Sequence, residues 1–232
     1  MAGGRGGERF LRVRGGADPD TSCWFGNTKL GEHSGGYTPF EFELTPLVKW
    51  GEAQKLTLRV WDVPAEVARH DWRLYGKQGY GNARGIWQTV YLEARGETYL
   101  DTVHFTPDID TGRVTAEVTL GAPAKKPLAV QFVFKAADRA EPAVAAFAPG
   151  QSKALVEIPF ESIRLWDLDD PYLYEVRCVL LGEGVTDAVS TYFGMRKVGV
   201  GKLPGTGYPY VTLNGRPIYL QLTLDQSYHP EG

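Results

Sequence analysis

The sequence predicts an all-β protein made of two β-sandwich domains and a C-terminal strand. Its 232 residues include 28 glycines and 15 prolines, a composition typical of short strands joined by many turns. Apolar and polar residues alternate in successive runs, which is the period of a half-buried strand. Helical periodicity extends over no more than a turn or two, and we interpret its best candidate, residues 63–72, as a loop.

In the first part of the chain, residues 40–44 show the alternation most clearly. Phe40, Phe42 and Leu44 fall on one face, and two glutamates fall on the other. A turn-rich stretch then separates the third of these runs from the fourth. The strands predicted in this part cover residues 9–14, 40–44, 55–60 and 86–92.

A change in composition near residues 94–98 marks the start of a second region. Regular strands with short loops follow over about 100 residues, the size of an immunoglobulin-like sandwich. The Cys…Trp…Cys pattern of antibody domains is absent, so the likeness is one of architecture. The predicted strands cover residues 98–106, 113–120, 128–136, 153–160, 173–181 and 186–192.

The last part of the chain combines a linker with a single strand. Residues 198–208, rich in Gly, Lys and Pro, predict the linker. Asn214 and Gly215 predict a tight turn, which leads into a buried strand. That strand ends at Asp225 and Gln226, and a strand that ends in an acid and an amide is typical of an enzyme barrel.

Composition and charge restrict the classes of function. The net charge of −3 is too small to predict binding to nucleic acid or to an acidic membrane surface. Apolar runs fall short of the roughly 18 residues that a membrane span needs. The glycine-rich start shows no apolar region of a secretion signal, and we expect a protein of the bacterial cytoplasm. Cys23 and Cys178 are expected to be unpaired apolar residues, and we expect neither a metal nor a cofactor.

Four segments of the sequence form a pattern in chain order. They are GEHSGGYTPFEF at 31–42; GKQ at 76–78 with GIWQTVYLE at 85–93; LWD at 165–167 with PYLY at 171–174 and FGMRKV at 193–198; and LNGRP at 213–217 with LDQSYHPEG at 224–232. Together they resemble glycoside hydrolase family 2, which includes β-galactosidases, β-glucuronidases and β-mannosidases.

This resemblance implies three regions. Residues 1–97 would form a jelly-roll-like sugar-binding domain, expected to be incomplete because the family's earliest strands have no counterpart here. Residues 98–198 would form the immunoglobulin-like sandwich. Residues 199–232 would hold a linker and the first strand of a (β/α)8 barrel, so that the chain is expected to stop where the catalytic domain begins.

The resemblance also implies what the chain lacks. Retaining glycosidases use two carboxylates about 5–5.5 Å apart, and in this family both are glutamates of later barrel strands. We therefore assign no catalytic residue, and the expected function is that of a non-catalytic N-terminal part of a retaining β-glycosidase, with a β-glycoside as its carbohydrate partner.

Seven residues are predicted to contact a sugar. Two lie at the end of the presumed barrel strand, three are loop aromatics that could stack on a sugar ring, and two lie beside those aromatics. They are Asp225 and Gln226, then Trp72, Tyr75 and Tyr80, then Lys77 and Gln78. By contrast, Trp24, Tyr37 and Trp87 lie in alternating runs, which favours a place in the core.

Two other functions stay open. One is a free-standing carbohydrate-binding module. The other is a small esterase-like hydrolase that uses Ser227 and His229 with Asp225, a loose arrangement of nucleophile, base and acid. His33 and Ser34 do not form such a pair, because neighbouring side chains of a strand point to opposite faces.

Two surface features complete the sequence-based predictions. Acidic residues around Trp166 predict a solvated turn, since the regular oxygen spacing and central glycine of a calcium loop are missing; they are Glu161, Asp167, Asp169 and Asp170. Apolar residues near the end of the chain lack the barrel on which they would pack, which predicts homo-oligomers; they are Ile218, Leu220, Leu222 and Leu224.

Overall fold

The structure is a computed structural model that describes residues 10–15, 20–36, 38–61, 85–135, 138–139 and 141–223. Within these ranges it is all-β, which confirms the predicted class. No helix of the described residues has the length and apolar character to cross a membrane. The elements are β1 Phe10–Gly15, β2 Asp20–Phe25, β3 Thr28–Ser34, β4 Phe40–Glu43, the 3-10 turn Thr45–Leu47, β5 Leu56–Trp61, β6 Tyr91–Arg95, β7 Leu100–Asp108, β8 Arg113–Leu120, β9 Leu128–Phe134, β10 Ala143–Phe147, β11 Lys153–Pro159, β12 Tyr174–Gly182, β13 Val185–Phe193, β14 Val198–Lys202, β15 Pro209–Leu213 and β16 Arg216–Pro217.

The first compact unit, Glu8–Arg95, holds two three-stranded antiparallel sheets. Their strand orders are β4-β1-β6 and β3-β2-β5. Cys23 and Leu44 are buried between apolar neighbours that include Phe42 and Leu58. The Phe42 ring covers Gly31 so closely that a Cβ there would lie 2.6 Å from the ring, so this position needs glycine.

The second unit, Gly96–Leu222, contains a seven-stranded β-sandwich. One antiparallel sheet has the order β10-β9-β12-β13 and the other β11-β8-β7. Alternate residues of β8 and β9 are buried between the sheets, as the period of two requires. Stacked and edge-on aromatic rings fill the core, and each fully buried ring contributes about 1.5–3 kcal/mol; they are Phe105, Phe132, Phe134, Phe160, Tyr174 and Phe193.

A small three-stranded sheet, β14-β15-β16, follows the sandwich in the same unit. Asn214 and Gly215 join β15 to β16 with φ values of 51° and 79°, which confirms the predicted Asn-Gly turn. The predicted linker at 198–208 is wrong in part, because its first residues form β14. Their alternation of valine with glycine concealed a strand, since glycine is depleted in strands.

The strand predicted after this turn is shorter than expected within the described residues. β16 ends at Pro217, and no strand covers residues 218–223. Tyr219 and Leu222 are 79% and 80% exposed. Apolar composition predicted burial here, but of residues 218–223 only Ile218 is half-buried, and its amide donates to the Val211 carbonyl over 3.1 Å.

Other strands differ from the prediction in position or were missed. The run at 86–92 overlaps a strand only at its end, since β6 covers Tyr91–Arg95. β10 was missed because its alanines indicate no particular structure, and the hairpin of β2 and β3 was missed because polar residues dominate it. Residues 63–72 lie outside the described ranges.

Candidate functional site

The residues predicted to contact a sugar all lie outside the described ranges. The structure therefore does not place Trp72, Tyr75, Lys77, Gln78, Tyr80, Asp225 or Gln226. The same holds for Tyr37 and for the alternative hydrolytic pair, Ser227 and His229. These assignments stay predictions.

Two tryptophans of the first unit differ from the predicted core placement. Trp87 is 55% exposed, and its indole Nε1 donates to the Gly36 carbonyl over 2.8 Å. Trp24 is half-buried on β2, with the Lys29 ammonium 5.8 Å from its ring. Alternation along a strand indicated a common face for such rings but did not indicate how completely the face is covered.

His33 and Ser34 end β3 and contact different groups. The His33 ring nitrogen Nε2 lies 3.0 Å from the Gly35 carbonyl oxygen and 3.2 Å from the Thr38 hydroxyl. The Ser34 hydroxyl donates to Asp20 over 2.8 Å. The two side chains do not form a nucleophile and base, in agreement with their positions as neighbours on a strand.

In the second unit, three separate parts of the family-like pattern meet at one place, which we call the junction and define as Trp166, Met195, Lys197 and Asn214. The Trp166 amide donates to the Met195 carbonyl over 2.9 Å. The Asn214 side chain then donates to the Trp166 carbonyl and accepts from the Lys197 amide, both over 3.0 Å. The Asn214 amide closes the arrangement on the Lys197 carbonyl over 2.8 Å. One asparagine thus ties the sandwich to the turn between β15 and β16.

Packing supports the hydrogen bonds of the junction. Met195 is fully buried. The Trp166 side chain lies against Gly194, where a Cβ would come within 3.2 Å of it. The Arg196 guanidinium covers the outer side of the indole at 4.9 Å, a cation–π contact. The Lys197 ammonium pairs with Asp110, which stabilises the same corner.

The loop between β11 and β12 carries a second polar network. Arg164 makes two parallel hydrogen bonds to Asp170, each of 2.7 Å, and lies 4.2 Å above the Tyr172 ring. Tyr172 donates its hydroxyl to Asp138 over 2.5 Å. The Arg164 amide donates to the hydroxyl of Tyr174 over 2.6 Å. The network thus joins the loop to two neighbouring parts of the unit, since Asp138 lies between β9 and β10 and Tyr174 begins β12.

These contacts shift the ionisation of the network. The hydrogen bond from Arg164 lowers the pKa of Asp170. The hydrogen bond to Asp138 raises the pKa of Tyr172 to about 12, since its proton is shared with a carboxylate. Burial raises the pKa of Tyr174. All three shifts favour the protonation states that hold the loop together near neutral pH.

The acidic turn around Trp166 is part of this structure. Asp167 accepts from the Leu168 amide over 2.7 Å, and the Asp167 amide donates to the Asp170 carbonyl over 2.9 Å. Across the described ranges, no three His, Cys, Asp or Glu side chains come together as a metal-binding cluster. Asp167 and Asp170 thus shape the turn through hydrogen bonds.

The two cysteines are buried, unpaired thiols, which confirms the prediction. Burial raises the pKa of Cys23 to about 11 and that of Cys178 to about 12. Such thiols are poor nucleophiles, because the thiolate is the reactive form.

Sequence reasoning missed the role of Asn214. It recognised the Asn-Gly turn but not the two bonds that the amide makes outside the turn. A signal was available: Asn tolerates positive φ as glycine does, yet it brings a donor and an acceptor. The sequence did not show which bonds the Asn214 side chain makes, because its partner Trp166 lies 48 residues earlier in the chain.

Comparison with known proteins finds a family match in the second unit. Residues 98–196 match the model of glycosyl hydrolases family 2. A β-galactosidase of Thermoanaerobacter pseudethanolicus is 26% identical over 204 residues, which cover 83% of this chain and 26% of that enzyme. A β-galactosidase of Halalkalibacterium halodurans is 30% identical over 181 residues, which cover 75% of this chain and 17% of that enzyme. The chain thus spans about a quarter or less of the length of these two relatives.

The fold is shared with solved structures. The crystal structure of a putative β-galactosidase from Bacteroides fragilis superimposes with a TM-score of 0.69 at 21% identity. The match covers 91% of this chain and 33% of that one. The family match coincides with the immunoglobulin-like sandwich, and over that domain the chain is similar to glycosyl hydrolases family 2.

Proposed function

We propose that this chain is a non-catalytic part of a retaining β-glycosidase and that its sandwich units support the catalytic domain. The match to family 2 over residues 98–196 supports the family of the enzyme. The two curated relatives are β-galactosidases, which makes a β-galactoside the first substrate to test.

The observation that supports this proposal is that residues of the family-like segments form hydrogen bonds within the second unit. Trp166 and Asn214 bind each other across the junction, and Asp170 is bound by Arg164. The bonds of Asn214 hold the corner between the sandwich and the β14–β16 sheet. A corner fixed by side-chain hydrogen bonds suits a scaffold, because it holds the following segment in one direction.

The sugar contacts remain part of the proposal. We propose that Asp225 and Gln226 border the sugar-binding site of the complete enzyme. A carboxylate accepts hydrogen bonds from sugar hydroxyls, and an amide both donates and accepts. Trp72, Tyr75 and Tyr80 would add ring faces at its rim, with Lys77 and Gln78 beside them.

Turnover measurements test the non-catalytic role. We expect the 232-residue chain to give no hydrolysis above the blank with nitrophenyl β-galactoside, β-glucuronide or β-mannoside. Turnover that disappears in Asp225→Asn but persists in the matched surface variant Asp169→Asn would contradict the proposal. A nitrophenyl ester assay with Ser227→Ala tests the esterase alternative in the same way.

We also propose that copies of the chain associate through the exposed apolar segment 218–222. Tyr219, Leu220 and Leu222 are 79%, 43% and 80% exposed. Apolar side chains so close together favour association. Sedimentation at tens of micromolar should show dimers or larger species, and Leu222→Ser with Tyr219→Ser should shift them towards monomer. A wild-type chain that sediments as a monomer would contradict this.

A further inference from the structure

The outer face of the four-stranded sheet carries a groove of about 430 Å³. Its position follows from the register of β9, β12 and β13. Glu175 and Arg177 point outward from β12, because the residues between and beside them are buried. Tyr192 lies opposite Glu175 on β13, and Val133 lies opposite Arg177 on β9. These four side chains therefore form one continuous patch on the outer face of the sheet.

The groove has the size of a small-molecule site. Its volume lies within the roughly 300–1,000 Å³ of known ligand pockets. Val133 forms part of the wall with 39% of its surface exposed, and Tyr192 presents an aromatic ring with 64% exposed. Ser190, opposite Arg177 on β13, adds a hydroxyl at the same edge.

Charge at the groove is unevenly paired. Lys135 forms an ion pair with Glu175 over 3.0 Å. Arg177 has no ion pair or hydrogen bond from its side chain to any described residue, whereas Arg164 of the same unit is bound twice by Asp170. Two cations and one anion leave a net charge of +1 in the groove. An unpaired guanidinium is a ready partner for a carboxylate, which it binds through two parallel hydrogen bonds.

The other outer face of the sandwich shows that this combination is specific to one sheet. There Arg113 pairs with Glu157 over 2.9 Å and Lys153 lies 3.7 Å from Glu117. Cations on that face have acidic partners of their own. The groove therefore does not simply reflect the general surface composition.

We propose that this groove binds an anionic sugar, a sugar ring that carries a carboxylate. Arg177 binds the carboxylate of the sugar. The ring of Tyr192 and the methyl groups of Val133 contact its apolar C–H face. Ser190 and the Lys135–Glu175 pair form hydrogen bonds with its hydroxyls. The site lies on the sandwich itself and is independent of the non-catalytic role proposed above.

A titration of the ¹⁵N-labelled full chain tests the site, with D-glucuronate as the probe. D-Glucose supplies the ring without the charge, and acetate supplies the charge without the ring. We expect amide shifts with glucuronate to concentrate on β9, β12 and β13 around residues 133–135, 175–177 and 190–192. Glucose and acetate should each bind at least about tenfold more weakly, because each lacks one of the two features.

Matched variants identify the contacts. Arg177→Gln and Tyr192→Ala should each weaken glucuronate binding about tenfold or more. Arg113→Gln and Leu155→Ala, exposed residues of the other outer face, should leave it unchanged. Dispersed spectra of each variant show that it is folded.

Four outcomes would overturn the proposal. They are the absence of shifts at 50 mM glucuronate, shifts spread over both faces, equal binding of acetate, and equal binding by Arg177→Gln. None of these outcomes bears on whether the chain is catalytic, so the two proposals fail separately.

Discussion

The hairpin of β12 and β13 has two faces that differ in burial, in ring packing and in the partners of their polar groups. On the inner face Tyr174 pairs with Phe193, and on the outer face Glu175 pairs with Tyr192, one residue away on each strand. The inner rings are stacked 5.3 Å apart and almost fully buried, whereas Tyr192 is 64% exposed. The period of two thus lets one hairpin stabilise the sandwich on one face and present a ligand groove on the other.

The comparison extends to the partners of the polar groups. On the inner side, the Tyr174 hydroxyl is bound by the Arg164 amide. On the outer side, the Arg177 side chain has no partner among the described residues. Groups that stabilise a fold have their bonds made within the protein, and a group left open is the better candidate for binding.

The largest expected effect breaks the inner face. Phe193→Ala should lower the free energy of unfolding by about 3–5 kcal/mol, because it leaves a cavity among packed rings. Tyr192→Ala, at the neighbouring position, should cost less than about 1 kcal/mol. Urea unfolding of both variants measures the difference, and equal losses would contradict the assignment of the two faces.

The next effect concerns the junction, whose Met195 lies two residues beyond the end of β13 at Phe193. Asn214→Ala should cost about 1–3 kcal/mol, because it leaves the Trp166 carbonyl and the Lys197 amide without their partner. Asn214→Gly keeps the positive φ but loses the same two bonds. It should therefore be destabilised as well, though by about 1 kcal/mol less than Asn214→Ala. A glycine variant as stable as wild type would show that Asn214 serves the turn alone.

A smaller effect depends on pH and involves Tyr172, whose ring meets Tyr174 edge-on at 5.2 Å. The pKa of Tyr172 in the folded chain is raised to about 12, above the value of about 10 for an unfolded tyrosine. Its contribution is fully present below pH 10 and is lost as the pH rises through 12. Wild type should therefore lose more melting temperature than Tyr172→Phe between pH 10 and pH 12. Parallel losses in the two proteins would contradict the hydrogen bond to Asp138.

How far the sequence predicts this molecule depends on the range of the interaction. Alternation in residues 113–120 predicted the strand, because that pattern is local. The strand at residues 143–147 escaped prediction, since only its pairing with β9 distinguishes its alanines from other structure. The family-like segments were recognised, but their meeting at the junction was not.

The groove illustrates the same limit for function. Val133, Arg177 and Tyr192 lie on three strands, and nothing in their local sequence indicates that they adjoin. The register of β9 and β13 against β12 brings them together. Sequence reasoning looked instead to residues such as Tyr80 and Asp225, which lie outside the described ranges and stay predictions.

The claim that one face of the hairpin stabilises the sandwich and the other binds a sugar is tested most directly by thermal melts. Wild type and Tyr192→Ala are compared with and without D-glucuronate. A ligand that binds the native state raises its melting temperature. We predict that the two proteins melt within about 2 °C of each other without sugar and that glucuronate raises the melting temperature of wild type more than that of Tyr192→Ala. A large loss of stability in Tyr192→Ala without sugar, or an equal rise in both proteins, would contradict the account.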